Sequence, residues 1–207
     1  MNEPLRIGVL ALQGAFAAHL DVLTSLGVDG RPVRLPVDLE GLDGLILPGG
    51  ESTTMSNLLH SFDLLEPLRD FISAGHPVFG TCAGMILLSD RILDGRPDQI
   101  ALSSIDIVVR RNGYGRQVES FETDIVVDGL DSPFHAVFIR APRIEEVGPN
   151  VDVLARHEDV PVLVRRGPVM AASFHPELTS DDRIHRLFAD MVRSASSDGA
   201  TSRNQVR

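Results

Sequence analysis

The single cysteine of the chain sits in Gly80-Thr81-Cys82-Ala83-Gly84, a G-x-nucleophile-x-G spacing. A sharp strand-to-helix turn leaves no room for side chains two residues either side of the nucleophile. It lifts the sulfur to a helix N-terminus, where unpaired N–H groups and the helix dipole favour the thiolate. Taken alone, the motif fits a buried cysteine in a glycine-rich turn better than a working thiol. Near the other end lies Phe174-His175-Pro176-Glu177. In an extended segment residues i and i+2 project to the same side, and Pro176 keeps His175 out of the helical region, so imidazole and carboxylate line one face. Glu177 can then fix the tautomer of His175, leaving its other nitrogen to take a proton from Cys82 and return one to a leaving amine. By itself the pair also reads as a surface His–Glu pair. The third stretch is Leu47-Pro48-Gly49-Gly50-Glu51-Ser52-Thr53-Thr54, a glycine turn whose backbone N–H groups suit an oxyanion. Ser52 or Thr53 there also fits a helix N-cap. Walker A spacing with its lysine and G-x-G-x-x-G are absent, which argues against a phosphate loop.

These groups need elements to hold them. Residues 5–12 read as a strand, 15–26 as a helix closed by Gly27, 33–35 and 42–47 as strands, and 58–74 as helical with a break before Pro67. Residues 77–80 are a short strand that runs into the cysteine turn and a helix from Met85. This alternation predicts an α/β fold with a mostly parallel central sheet and helices on both faces. The runs 105–109, 120–127, 136–139, 151–155, 160–164 and 169–174 are β-rich and punctuated by Gly, Pro and Asp, which predicts an additional antiparallel section. A last helix spans 183–194. The expected organisation is one domain over residues 1–195 and a disordered polar tail over 196–207, where apolar surface is scarce.

The chain has 207 residues, 43% apolar and 23% charged, the composition of a self-folding globular domain. With 19 basic against 29 acidic residues the net charge is -10, which repels nucleic acid and anionic membranes. The N-terminus lacks the basic start and apolar run of a secretory signal, no apolar run reaches membrane-spanning length, and a lone cysteine suits a reducing compartment. A cytoplasmic protein is expected.

Nucleophile, base with orienter and oxyanion donors all fall where strands of an α/β fold end. In this setting the chain resembles the triad class of glutamine amidotransferases, and within it the glutaminase subunits of pyridoxal 5'-phosphate synthase. The matching stretches are residues 8–14 (GVLALQG), 47–54 (LPGGESTT), 79–84 (FGTCAG), Arg111-Asn112 with Gly115-Arg116-Gln117, 138–142 (FIRAP) and 173–178 (SFHPEL). The resemblance implies a class I glutamine amidotransferase-like (flavodoxin-like) three-layer sandwich. It implies Cys82 as nucleophile, His175 and Glu177 as its relay, and Gly50 and Ala83 as oxyanion-hole donors. L-glutamine would be held by Gly50, Glu51, Ser52, Arg111, Ile139 and Arg140. An Arg fork is the natural partner of its α-carboxylate, and Glu51 of its α-ammonium. Gln13 is placed at the interface with the synthase subunit, helping to complete the oxyanion hole on docking. No metal or cofactor is implied, pyridoxal 5'-phosphate being the product of the complex.

Tyr114 and Gly113 follow Arg111-Asn112 where an aromatic and a small residue are expected, and the polar tail has no counterpart. Rival readings are a glutaminase of another pathway, against which LPGGESTT and FIRAP argue, a non-catalytic adaptor that regulates a synthase, and a peptidase or esterase on a similar fold.

Overall fold

The computed structural model describes residues 4–113 and 120–204, with 198–204 described by backbone only. The chain runs β1 (Arg6–Leu10), α1 (Phe16–Ser25), β2 (Asp29–Val33), a 3-10 turn (Pro36–Leu39), β3 (Gly44–Leu47), α2 (Ser52–Ser61), α3 (Leu65–Ser73), β4 (Val78–Thr81) and α4 (Ala83–Leu88). It continues with β5 (Ser89–Ile92), β6 (Ile105–Arg110), β7 (Ser120–Ile125), β8 (Phe134–Ile139), β9 (Arg143–Val147), β10 (Asp152–His157), β11 (Val160–Arg166), β12 (Val169–Ala172), a 3-10 turn (Pro176–Leu178) and α5 (Arg183–Asn204).

The main sheet has strand order β10-β11-β12-β4-β3-β1-β2. Strands β2, β1, β3, β4 and β12 are parallel, and β11 and β10 extend the sheet in antiparallel fashion. Central strands of such a sheet are covered on both faces, and β3 (GLIL) and β4 (VFGT) are buried throughout. Alternate residues feed two cores. Leu45, Leu47 and Val78 pack with Met55, Leu59, Leu68 and Phe71 of α2 and α3 and with Leu87 and Leu88 of α4. Ile46 and Phe79 pack with Leu23 of α1 and with Ile184, Phe188 and Val192 of α5. Helices therefore cover both faces of a mostly parallel sheet, the three-layer arrangement expected. A three-stranded sheet, β5-β6-β9, and the hairpin β7-β8 flank it. Among the described residues no helix is long and apolar enough to cross a membrane.

Several local expectations are corrected. The second strand is Asp29–Val33 and not 33–35; as an edge strand paired only to β1 it is polar and tolerates Pro32. Strands β5 (SDRI) and β9 (RIEEV) have one buried residue each, Ser89 and Ile144, and so carry no alternation to reveal them. Helix α2 starts at Ser52, six residues before Leu58, because its first turn is polar. Its cap is Glu51, whose carboxylate accepts from the N–H groups of Thr53 and Thr54, and neither Ser52 nor Thr53 fills that place. The break before Pro67 is present between Ser61 and Leu65. Strand β12 belongs to the parallel set, since it pairs with β4. Helix α5 runs to Asn204, so the disordered tail expected from 196 does not hold that far. Adding residues to an established helix is cheap, and the Ser194, Ser196 and Ser197 hydroxyls donate to the carbonyls of Asp190, Val192 and Arg193. Tyr114, the Gly115-Arg116-Gln117 stretch and residues 205–207 lie outside the described residues.

Candidate active site

Cys82 joins β4 to α4 with φ 49° and ψ -103°, a conformation L side chains rarely adopt and one worth about 1–3 kcal/mol of strain. The surroundings enforce it. Its N–H donates to the Ala172 carbonyl of β12 at 2.8 Å, and its own carbonyl accepts from Ile86 N–H at 3.2 Å. The flanking glycines are needed sterically. A Cβ at Gly84 would lie 2.0 Å from the Leu47 carbonyl oxygen, and one at Gly80 would lie 2.6 Å from the Gly84 backbone.

Strand β12 ends beside β4, with Ala172 paired to Thr81, and the chain then delivers His175 next to Cys82. His175 has φ -109° and ψ 86°, outside the helical region as Pro176 demands. Glu177 lies in a 3-10 turn rather than the extended segment expected. That turn still brings its Oε1 to 2.7 Å from His175 Nδ1. Gly49 provides the seat for the ring, since a Cβ there would stand 2.3 Å from His175 Cε1. Burial lowers the His175 pKa, but the hydrogen bond to Cys82 and then that to Glu177 outweigh it and raise the pKa to about 10. Burial works against the Glu177 charge too. The His175 hydrogen bond and the nearby His19 and His175 rings overcome it and hold the carboxyl below its usual range. The arrangement is an imidazole fixed at Nδ1 by a buried carboxylate, with its other face toward a thiol.

The two glycine loops are joined. Ala15 N–H donates to the Gly49 carbonyl at 3.1 Å, and Glu51 N–H donates to Gln13 Oε1 at 3.0 Å. Gln13 lies directly over Gly50, where a Cβ would meet Oε1 at 2.5 Å. Gln13, Gly50, Glu51, Ser52, Cys82, Arg111, Ile139, Arg140 and His175 line one cleft of about 310 Å³, a size that suits an amino-acid ligand. Ala83 is the first residue of α4, where an N–H has no intrahelical acceptor, and its side chain is buried. Glu51 and Arg111 meet each other: Arg111 Nη2 donates to Glu51 Oε1 at 2.9 Å, while Thr54 N–H donates to Oε2 at 2.7 Å. Burial raises the Glu51 pKa, but the Thr54 and Thr53 hydrogen bonds and Arg111 bring it below the ordinary value. Arg140 has φ 43° and an exposed side chain, and Ile139 is exposed at the cleft edge.

Four further residues belong to this neighbourhood, of which only Asn112 falls in a motif. Ile86 and Asn112 line the cleft. His19 on α1 and His185 on α5 are fully buried behind Glu177. Asn112 is marked by its place beside Arg111. A histidine four residues before the buried Leu23 on an apolar helix face is a signal for His19.

An α/β domain with this sheet order and a cysteine at a strand-to-helix turn has the class I glutamine amidotransferase fold. A solved structure described as a glutamine amidotransferase superposes with a TM-score of 0.85 at 50% identity, covering 90% of this chain and 98% of the other. The model of the SNO glutamine amidotransferase family matches residues 9–194, and the chain belongs to that family. Among relatives, the pyridoxal 5'-phosphate synthase subunit PdxT of Parafrankia sp. (strain EAN1pec) is 61% identical over 94% of this chain and 96% of its own length. The protein of the same name from Mycobacteroides abscessus is 56% identical over 91% and 97%.

Proposed function

We propose that the chain, as one glutaminase unit over residues 1–195, hydrolyses L-glutamine to L-glutamate and ammonia and passes the ammonia to a synthase subunit that makes pyridoxal 5'-phosphate. The observation that carries the reading is the line Cys82, His175, Glu177 opening into an amino-acid-sized cleft at the strand ends. The Cys82 sulfur adds to the carboxamide carbon. Backbone N–H groups of Gly50 and Ala83 hold the oxyanion, and His175 protonates the departing ammonia. His175 then activates water to cleave the glutamyl thioester, which releases glutamate and restores the thiol. Arg111 and Arg140 suit the substrate carboxylate, and Glu51, Ser52 and Ile139 suit its amino end and stem. Gln13 sits on the loop that a docked synthase would press, and through Glu51 N–H it reaches the loop that carries Gly50. The names and high identity of the PdxT relatives support the pathway and the synthase partner. The cytoplasm is the compartment that fits the chemistry, because the lone cysteine must stay reduced.

The test is glutamate release from glutamine by the purified chain, alone and with the cognate synthase subunit, beside Cys82→Ala. Release that rises with the partner and vanishes in the variant supports the glutaminase. A complex that forms yet releases no glutamate would point to a regulatory adaptor, and activity on peptides without activity on glutamine to a peptidase.

A further inference from the structure

The line of polar groups does not end at Glu177. Its Oε1 is taken by His175, whereas Oε2 is buried and lacks a hydrogen bond of good geometry. Nε2 of His19 lies 3.4 Å from it and 3.3 Å from Thr81 Oγ1. On the far side His19 Nδ1 is 2.9 Å from His185 Nε2. His185 packs edge-on against Phe79, and its Nδ1 meets no partner. Both rings are fully buried.

The proton order follows from the chemistry of each group. An ionised carboxylate only accepts, so for His19 to serve Oε2 its proton must sit on Nε2, where it lies between Oε2 at 3.4 Å and the Thr81 Oγ1 acceptor at 3.3 Å. A neutral His19 then has a lone pair on Nδ1, and His185 must donate to it from Nε2. The one ring nitrogen left over is His185 Nδ1, a bare acceptor rather than a stranded N–H, which is the cheaper group to leave unmet. Burial lowers the His19 pKa to about 4, and burial with the neighbouring His19 lowers that of His185 to about 3, in keeping with neutral rings. The groups that face this pair are Glu177 and His175 from the 3-10 turn and its approach, Thr81 from β4 and the Phe79 ring.

We propose that His19, oriented from behind by His185, is a positioning residue that holds Glu177 ionised and aimed at His175 by directing its Nε2–H at the second carboxylate oxygen. The kinetic part of this inference rests on the glutaminase reading; the ring order does not. Without that donor Glu177 would protonate at higher pH, and His175 would lose the partner that fixes its tautomer.

The experiment compares His19→Met, which keeps bulk and removes the donor, with His19→Gln, whose amide N–H reaches to about the position of Nε2. Glutaminase kinetics are measured with the synthase subunit present, beside ¹⁵N shifts of the imidazole rings in the wild-type chain. Expected for His19→Met are a kcat lower by about tenfold to a hundredfold, an unchanged KM and an acidic limb moved to higher pH, with Gln restoring most of the rate. Wild-type rates in both variants would overturn the proposal. So would losses in both that merely follow a fall in melting temperature, which would mark a packing role. If the wild type releases no glutamate, the functional reading fails by itself. The ring shifts then decide: neutral Nε2–H tautomers for both histidines support the order given, and a charged ring or an Nδ1–H form of His19 overturns it.

Discussion

Replacing His185 by Phe tests the electrostatics of the buried pair through folding stability. The ring is fully buried, and burial followed by the neighbouring His19 lowers its pKa from 6.5 to about 3. A depressed folded pKa means that the unfolded state binds the proton first. Stability from this group is therefore complete above 6.5 and falls as pH drops toward about 3. At about 1.4 kcal/mol per pH unit, the 1.5 units between 6.5 and about pH 5 remove about 2 kcal/mol. Phe keeps a planar ring against Phe79 and cannot titrate. The Nδ1 of His19 that it leaves unmet costs something at every pH, so that term largely cancels in a difference between two pH values. His175 titrates in the opposite sense, since its pKa is raised to about 10, but it does so in both proteins. Urea unfolding at roughly pH 8 and pH 5 measures the difference, read by far-UV circular dichroism because the chain has no tryptophan. The wild type is expected to lose about 2 kcal/mol more than His185→Phe between the two pH values. Equal losses would refute the reasoning, for they would mean that His185 is hydrated or already charged in the native state.

Three other substitutions probe the site, two by shape and one by charge. Gly49→Ala puts a methyl 2.3 Å from His175 Cε1, so the ring must turn, and glutaminase kcat is expected to fall about a hundredfold with a melting temperature close to wild type. Gly84→Ala drives its Cβ to 2.0 Å from the Leu47 carbonyl oxygen, a backbone atom with nowhere to go, and urea unfolding should show a loss of about 3 kcal/mol or more. Arg111→Met frees Glu51 from its ion pair and removes the carboxylate fork, so KM for glutamine should rise about tenfold while kcat stays within about twofold.

What could be read from the chain without its structure was whatever had a strong local cause. The alternation of apolar strands and helices up to α4 predicted the parallel sheet, because buried central strands must be apolar on both faces. Gly80 and Gly84 announced the cysteine turn, because close backbone contact excludes a Cβ. Three of the edge strands were misplaced or unread. Strands β2, β5 and β9 owe their existence to neighbours that hydrogen-bond to them, and polar sequences such as SDRI carry no sign of that. The start of α2 was hidden because Glu51 caps it from a sequence without apolar periodicity. In the site, His175 and Glu177 share a short motif and were legible as a pair. His19 and His185 come from two helices at opposite ends of the chain, and only the tertiary fold puts them in line behind Glu177.

The pairing of β12 with β4 has one more consequence. Ala172 stands opposite Thr81, so the strands that end at nucleophile and base are bonded neighbours although much of the sequence separates them. Everything from β5 to β11 is an excursion that leaves this seam and returns to it. The end of β8 and the turns after β6 and β8 carry the cleft residues Arg111, Asn112, Ile139 and Arg140, whereas extra residues in the other turns of that excursion can be absorbed without moving Cys82 or His175. A one-residue slip of β12 along β4 would carry His175 off its seat at Gly49 and turn its strand's side chains to the opposite face. Alignment of nucleophile and base is thus a matter of ladder register, and away from the two turns that reach the cleft the long detour is free to vary in length while that register is kept.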